Sequence, residues 1–267
     1  MNGTSVMPAL RTHIKNFVQH ITNWEIERLG EKSFALINKN KRADAWFSYQ
    51  AQLKTVFEKY DINLVLDVGA NQGQFAKRLR NFYAGDIISF EPVSEVFAAL
   101  RENLSQDNNW HGYKFALGSK ESMQRIFVPK HTVFSSFLKS NEYCEKRFGD
   151  LHDGLVEEIV TVRRLDNVLD EIVNEIDSKR IFIKMDTQGY DAEVFLGLGE
   201  KLDHVMVLQS EVSIIPIYEN MPHWTESVSL YEEAGFSIIG MFPVTRDAEK
   251  IIEYDCLLSR LPPSRIN

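Results

Sequence analysis

From residue 62 the chain alternates short apolar runs with stretches of helical periodicity, and this alternation constrains its fold more than any other feature. Leu64-Val65-Leu66 is such a run, too short for a helix and apolar on both faces. Phe75, Ala76, Leu79 and Phe82 then follow at helical spacing. Ile87–Phe90 is the next run, and Val93, Val96, Phe97, Leu100 and Leu104 mark a second amphipathic helix. Strands that alternate with helices run parallel, joined by right-handed crossovers. A sheet of this kind holds its ligand beyond the carboxyl ends of its strands.

The alternation breaks after the strand Tyr113–Ala116. Arg125–Val128 and Glu157–Val162 read as strands separated by a long polar stretch, which predicts an inserted β element. It resumes with a helix carrying Leu165, Val168, Leu169, Ile172, Val173 and Ile176, then the strand Ile181–Met185. A helix around Phe195 and Leu198, the strand Val205–Leu208 and a helix near Ser227–Ala234 follow. No helical pattern separates Phe236–Gly240 from Ile252–Leu258, so the last strand is predicted antiparallel to its neighbour.

The residues before this region read as helices. Ile14, Phe17, Val18 and Ile21 form one stripe, Trp46, Leu53, Phe57 and Tyr60 another, and Lys39-Asn40-Lys41 a connection between them. The expected organisation is an N-terminal helical segment (1–61), an α/β domain (62–260) and a short tail (261–267). The N-terminal helices are the expected route to a homo-oligomer.

The 267 residues carry 38 Asp+Glu against 30 Lys+Arg, a net charge of −8, which disfavours broad binding to nucleic acid or anionic lipid. Cys144 and Cys256 are too few for a disulfide framework and read as free thiols of a reducing compartment. MNGTSVMPALRTHIKN has no signal-peptide core, and no apolar run reaches the roughly 20 residues of a membrane span. A cytoplasmic location is expected. The seven histidines show no metal-ligand spacing, so no metal is predicted.

The segment Leu64–Phe75 carries most of the chemistry. An apolar strand runs into Asp67, a tight turn with Gly69, Asn71 and Gly73 follows, and a helix begins. Glycines there tolerate positive φ and let a ligand approach the backbone. Dinucleotides and S-adenosyl-L-methionine both use such a turn. A carboxylate repels a pyrophosphate at the helix N-terminus but attracts a sulfonium and an amino group, so Asp67 favours S-adenosyl-L-methionine. Glu91, in Ser89-Phe90-Glu91-Pro92 at the end of the next strand, is placed to accept both ribose hydroxyls.

Several motifs in order resemble the FkbM-type S-adenosylmethionine-dependent methyltransferases. They are Asp67-Val-Gly-Ala-Asn-Gln-Gly, Phe90-Glu91-Pro92, Ala116-Leu117-Gly118, Ser135-Ser136, Val162–Asp166 and Ile183-Lys184-Met185-Asp186-Thr187-Gln188-Gly189-Tyr190-Asp191. The resemblance covers about residues 62–260 and implies a Rossmann-like sheet of seven strands, the last antiparallel. It also implies O-methylation of a sugar, glycan or natural product. It assigns the cofactor to Asp67, Gly69, Asn71, Gly73, Glu91, Pro92, Ala116 and Asp186. The family's Lys-x-Asp-x-Glu-Gly-x-Glu pattern is kept at Lys184, Asp186 and Gly189, while Gln188 and Asp191 replace its two glutamates.

Strand alternation puts Lys184 and Asp186 on one face, with Asp186 at the carboxyl end. Asp186 is the candidate base for a hydroxyl proton. Lys184 either holds that carboxylate or orients the acceptor; a buried pair that only locks the strand is the structural alternative. Glu211, ending the next strand, is a candidate second carboxylate, as hydroxyl binder, metal ligand or solvated acid. His131, Ser135, Ser136, Tyr218, His223 and Trp224 are candidate substrate contacts in loops on the same side. Two other readings are open: a nicotinamide-dependent oxidoreductase, and a non-catalytic cofactor-binding or scaffold protein.

Overall fold

The computed structural model describes residues 24–28, 34–149 and 154–260. The chain divides into two compact units, Met1–Val56 and Phe57–Asn267. In the first, β1 (Trp24–Arg28) and β2 (Phe34–Asn38) form an antiparallel hairpin, Trp24 opposite Asn38 and Arg28 opposite Phe34. A helix was expected here. Trp24-Glu-Ile-Glu-Arg alternates apolar and polar residues with period two, which suits a strand. The helix α1 (Lys39–Lys59) follows, so Lys39-Asn40-Lys41 opens a helix rather than linking two. The Ile14–Ile21 stripe and the tail 261–267 lie outside the described residues.

The second unit is built on seven strands: β3 (Leu64–Val68), β4 (Asp86–Phe90), β5 (Trp110–Tyr113), β9 (Ile181–Met185), β10 (Val205–Ser213), β11 (Phe236–Asp247) and β12 (Lys250–Arg260). Their order is β11-β12-β10-β9-β3-β4-β5. Pairings from β5 across to β10 are parallel, and β12 runs antiparallel to both β10 and β11, as expected. Helices α2 (Gln74–Leu79), α3 (Ser94–Asn103), α5 (Leu165–Ile172), α6 (Asp191–Leu196) and α7 (Trp224–Glu233) connect the strands. Strands β3 and β9 are buried along their whole length, hence their unbroken apolar text.

The predicted third strand divides. β5 stays in the main sheet, whereas β6 (Ala116–Leu117) leaves it to pair with β8 (Val156–Arg163). With β7 (Ser122–Val128) antiparallel to β8, these form the three-stranded inserted element. The helix α4 (Glu142–Phe148) lies between β7 and β8, capped by the Asn141 side chain, which accepts from the Cys144 amide at 2.9 Å. Phe182 from β9 lies fully buried against Phe57 and Phe75, ring centroids 4.9 and 6.1 Å away. Among the described residues no helix is long and apolar enough to cross a membrane.

Register places the polar chemistry. Asp67 pairs across with Ser89 and Lys184, Lys184 with Gln209, Glu211 with Asp255, and Ser213 with Glu253. Residues opposite one another share a face, as do residues two apart along a strand. One face of the sheet, toward its carboxyl end, therefore carries Asp67, Lys184, Asp186, Glu211, Glu253 and Asp255 together.

Candidate active site

A cavity of about 440 Å³ opens at the carboxyl ends of the parallel strands, within the usual range for small-molecule sites. The turn after β3 supplies Gly69, Ala70 and Asn71, and β4 ends in it with Phe90, Glu91 and Pro92. Lys184, Asp186 and Gln188 come from the end of β9, Glu211 from β10 and Glu253 from β12. The inserted element closes the other side with Ile126, Phe134 and Phe137.

Gly69 is where the turn requires a glycine. Its φ is +75°, and a Cβ there would fall 2.0 Å from the Asp186 carbonyl oxygen. The β3–α2 turn thus rests directly on the β9–α6 turn, a contact tied by the Asp186 amide donating to the Val68 carbonyl at 3.1 Å. Gly73 (φ +86°) faces the side chains of Leu100 and Leu104 and does not line the cavity.

Glu91 is buried at the cavity wall. One carboxyl oxygen accepts from the Asn71 amide at 3.0 Å and the other from the Val93 amide at 2.9 Å. Burial raises its pKa to about 7 in spite of these bonds.

Lys184 Nζ donates to Asp186 Oδ2 at 2.9 Å and lies 3.9 Å from Asp67 Oδ1. Burial works against its charge, but the two carboxylates outweigh that and raise its pKa. Burial also pushes Asp186 up; Lys184 beside it, with bonds from Lys184, Gln188 and Glu211, overcomes this and holds the carboxyl below its ordinary range. Glu211 goes the other way: burial, then the charges of Asp186, Glu253 and Asp255, hold it well above its ordinary range. The two carboxyls are thus pushed in opposite directions, Asp186 toward its ionised form and Glu211 toward its protonated form.

Asp67 lies deeper than the sequence suggests. It is fully buried, its carboxyl under Lys184 with Ser89 Oγ 3.5 Å away, and it does not line the cavity. The longer Lys184 side chain on the neighbouring strand reaches the cavity, and the short carboxylate stops beneath it. Burial raises Asp67 to about 6. Its Oδ1 has no hydrogen-bond partner.

The described chain matches the methyltransferase FkbM domain over residues 67–238. The chain belongs to that family. This methyltransferase thereby takes S-adenosyl-L-methionine as its cofactor. No curated protein matches it in sequence. The solved structures similar to it include the following three. Fibrillarin of Aeropyrum pernix, with natively bound S-adenosyl-L-methionine, is 9% identical, covering 73% of this chain and 66% of its own, with a TM-score of 0.43. Precorrin-6y C5,15-methyltransferase of Geobacter metallireducens is 12% identical over 78% of this chain and 88% of its own, TM-score 0.41. The METTL16 methyltransferase domain is 10% identical over 95% and 80%, TM-score 0.46. Likenesses this distant say nothing about the acceptor.

The residues present fit the cofactor. Glu91 faces the cavity with both oxygens already fixed by backbone donors, leaving further lone pairs for a ribose diol. Phe90, Leu117 and Ile126 give an apolar wall suited to an adenine, and the carboxylate of Asp186 suits a cationic methionine end. Of the predicted contacts, Gly69, Asn71, Glu91, Pro92, Ala116, Lys184, Asp186, Glu211, Ser135 and Ser136 line the cavity. Asp67, Gly73, His131, Tyr218, His223 and Trp224 do not.

The reasons differ from residue to residue. His223 caps α7, its ring nitrogen facing the Thr225 amide while Glu226 returns to the His223 amide. Trp224 packs against the main core, and His131 precedes a short turn and is exposed. Tyr218 lies one residue back, reaching the site through Gln188. Among the cavity residues to which the sequence assigned no role are Gln188, Glu253 and Arg78. For Glu253 the alternation of Glu253 with Asp255 on the final strand was available as a clue.

Asp191, which stands where the family has a glutamate, is structural. Its Oδ1 accepts from the Thr187 amide (2.8 Å) and hydroxyl (2.5 Å), and its Oδ2 from the Ser210 hydroxyl (2.7 Å) and the Glu211 amide (3.1 Å). It clasps the turn carrying Asp186 to the strand carrying Glu211.

Proposed function

We propose that this methyltransferase transfers its methyl group to a hydroxyl of a sugar, glycan or small natural product, and that Asp186 takes the hydroxyl proton. The observation that carries the reading is Asp186 itself: a carboxyl at the cavity wall, 2.9 Å from Lys184 Nζ and bridged to Glu211 by the Gln188 amide. Bound S-adenosyl-L-methionine supplies a methyl carbon open to in-line displacement by a hydroxyl oxygen. Glu91 would bind its ribose, and the Gly69–Asn71 backbone with Asp186 its methionine end. An acceptor hydroxyl loses its proton as the new bond forms, and a carboxylate in place to receive it contributes about 10²–10⁴ in rate. Glu211, pushed toward its protonated form by burial and its acidic neighbours, would be suited to donate to a neighbouring acceptor oxygen.

Mass spectrometry of glycan and metabolite pools incubated with the protein and isotopically labelled S-adenosyl-L-methionine tests the reading. The expected result is a product heavier by one labelled methyl on oxygen, absent with Asp186→Asn. Methylation on nitrogen or carbon contradicts it. Cofactor binding with no product from any pool favours the scaffold reading instead.

A further inference from the structure

Gln188 has every polar atom of its side chain engaged. Its Nε2 donates to Asp186 Oδ1 at 3.1 Å and to Glu211 Oε2 at 2.7 Å, which uses both amide protons. Its Oε1 accepts from the Tyr218 hydroxyl at 2.8 Å. The backbone beneath is fixed as firmly. Gln188 has φ +52° and Gly189 φ +89°, and the Gln188 carbonyl accepts from Ser136 Oγ at 2.7 Å. Ser136 is buried and its oxygen in turn accepts from the Leu138 amide at 3.0 Å. The inserted segment thus holds the turn, and Tyr218 holds the amide.

We propose that Gln188 is a positioning residue for the base: its amide, kept in one orientation by Tyr218, ties Asp186 and Glu211 into a single hydrogen-bonded unit. The inference rests on the reading of Asp186 as the proton acceptor. The reverse amide orientation would set Oε1 against the Asp186 carboxylate oxygen and lose the bond to it. A neutral double donor between two acids suits a pair that holds one proton. It steadies the carboxylate of Asp186 without adding charge to a crowded face. Around the pair stand Lys184 and Asp67, Glu253 and Asp255 on β12, and Asp191 below. A carboxylate at 188 would add a negative charge and remove both donors.

The side-chain NH₂ resonance of Gln188 in the ¹⁵N-labelled full chain, assigned by its loss in Gln188→Glu, reads this without any acceptor. In the wild type its protons should exchange with solvent at least about tenfold more slowly than those of the exposed Gln72. Their shifts should follow the titration of the Asp186–Glu211 pair. Tyr218→Phe, which keeps the ring, should speed exchange at least about fivefold. In Gln188→Met, which keeps the length but not the donors, the Asp186 carboxyl resonance should titrate at higher pH by about a unit. Exchange as fast as Gln72, or protection untouched by Tyr218→Phe, overturns the proposal. Calorimetry with S-adenosylhomocysteine separates the failures. A protected amide without ligand binding removes the cofactor reading and not this one; binding with an unprotected amide removes this one alone.

Discussion

Lys184 lies between two carboxylates in a place nearly closed to water, 2.9 Å from Asp186 and 3.9 Å from Asp67. Removing one partner of a buried ion pair leaves an uncompensated charge and costs about 3–5 kcal/mol. Lys184→Met should therefore lower stability by an amount of that order in urea unfolding. Asp186→Asn keeps the shape but loses one of the two acceptor oxygens that face Lys184 and Gln188; with Asp67 still beside Lys184 it should fold at reduced stability and lower single-turnover methyl transfer by about 10²–10⁴. A near-wild-type rate in that variant would remove Asp186 from the chemistry. Lys184, Asp186 and Glu91 were legible because strand alternation and strand-end position are written in sequence. The depth of Asp67 was not, because it depends on a longer side chain from the next strand covering it. Gln188 was not legible because its value lies in two partners from different strands and one from a loop.

At the scale of elements, two turns decide the site. A Cβ at Gly69 would strike the Asp186 carbonyl, so Gly69→Ala must separate the β3–α2 and β9–α6 turns or strain both. It should destabilise the protein by about 2–3 kcal/mol and abolish detectable cofactor binding, both followed by thermal melting with and without S-adenosylhomocysteine. Asp191→Ala releases four hydrogen bonds to a buried carboxylate and should cost about 3 kcal/mol in urea. The strand–helix alternation made the central sheet and its antiparallel last strand readable. The hairpin at β1 and β2 was missed because five-residue alternation is short, and the Tyr113–Ala116 strand was misjudged because its two ends belong to different sheets. Pairing between distant segments chooses that division, and no local pattern records it.

Across the whole molecule most carboxyls meet water, and the few that burial reaches set how stability depends on pH. Burial holds the Asp67, Glu91 and Asp255 carboxyls up to about 6, 7 and 6. The unfolded chain releases these protons near pH 4, so between about pH 4 and 7 the folded protein binds more of them. Stability of the ligand-free protein should fall as pH rises through that window and level off above it. Asp166 and Glu171, held low by arginine partners, act oppositely and only below the ordinary carboxylate range. Glu91→Gln should flatten the decline by on the order of 3 kcal/mol, read from denaturant titrations across pH. A cationic ligand that bonds ionised Glu91 should bind more tightly above about pH 7 than below. Calorimetric titration of the protein with S-adenosylhomocysteine at about pH 8 tests the central claim most directly. The cavity built around Glu91 and Asp186 predicts saturable one-to-one binding, weakened at least about tenfold by Glu91→Ala. No binding by the wild type, or undiminished binding by that variant, would contradict it.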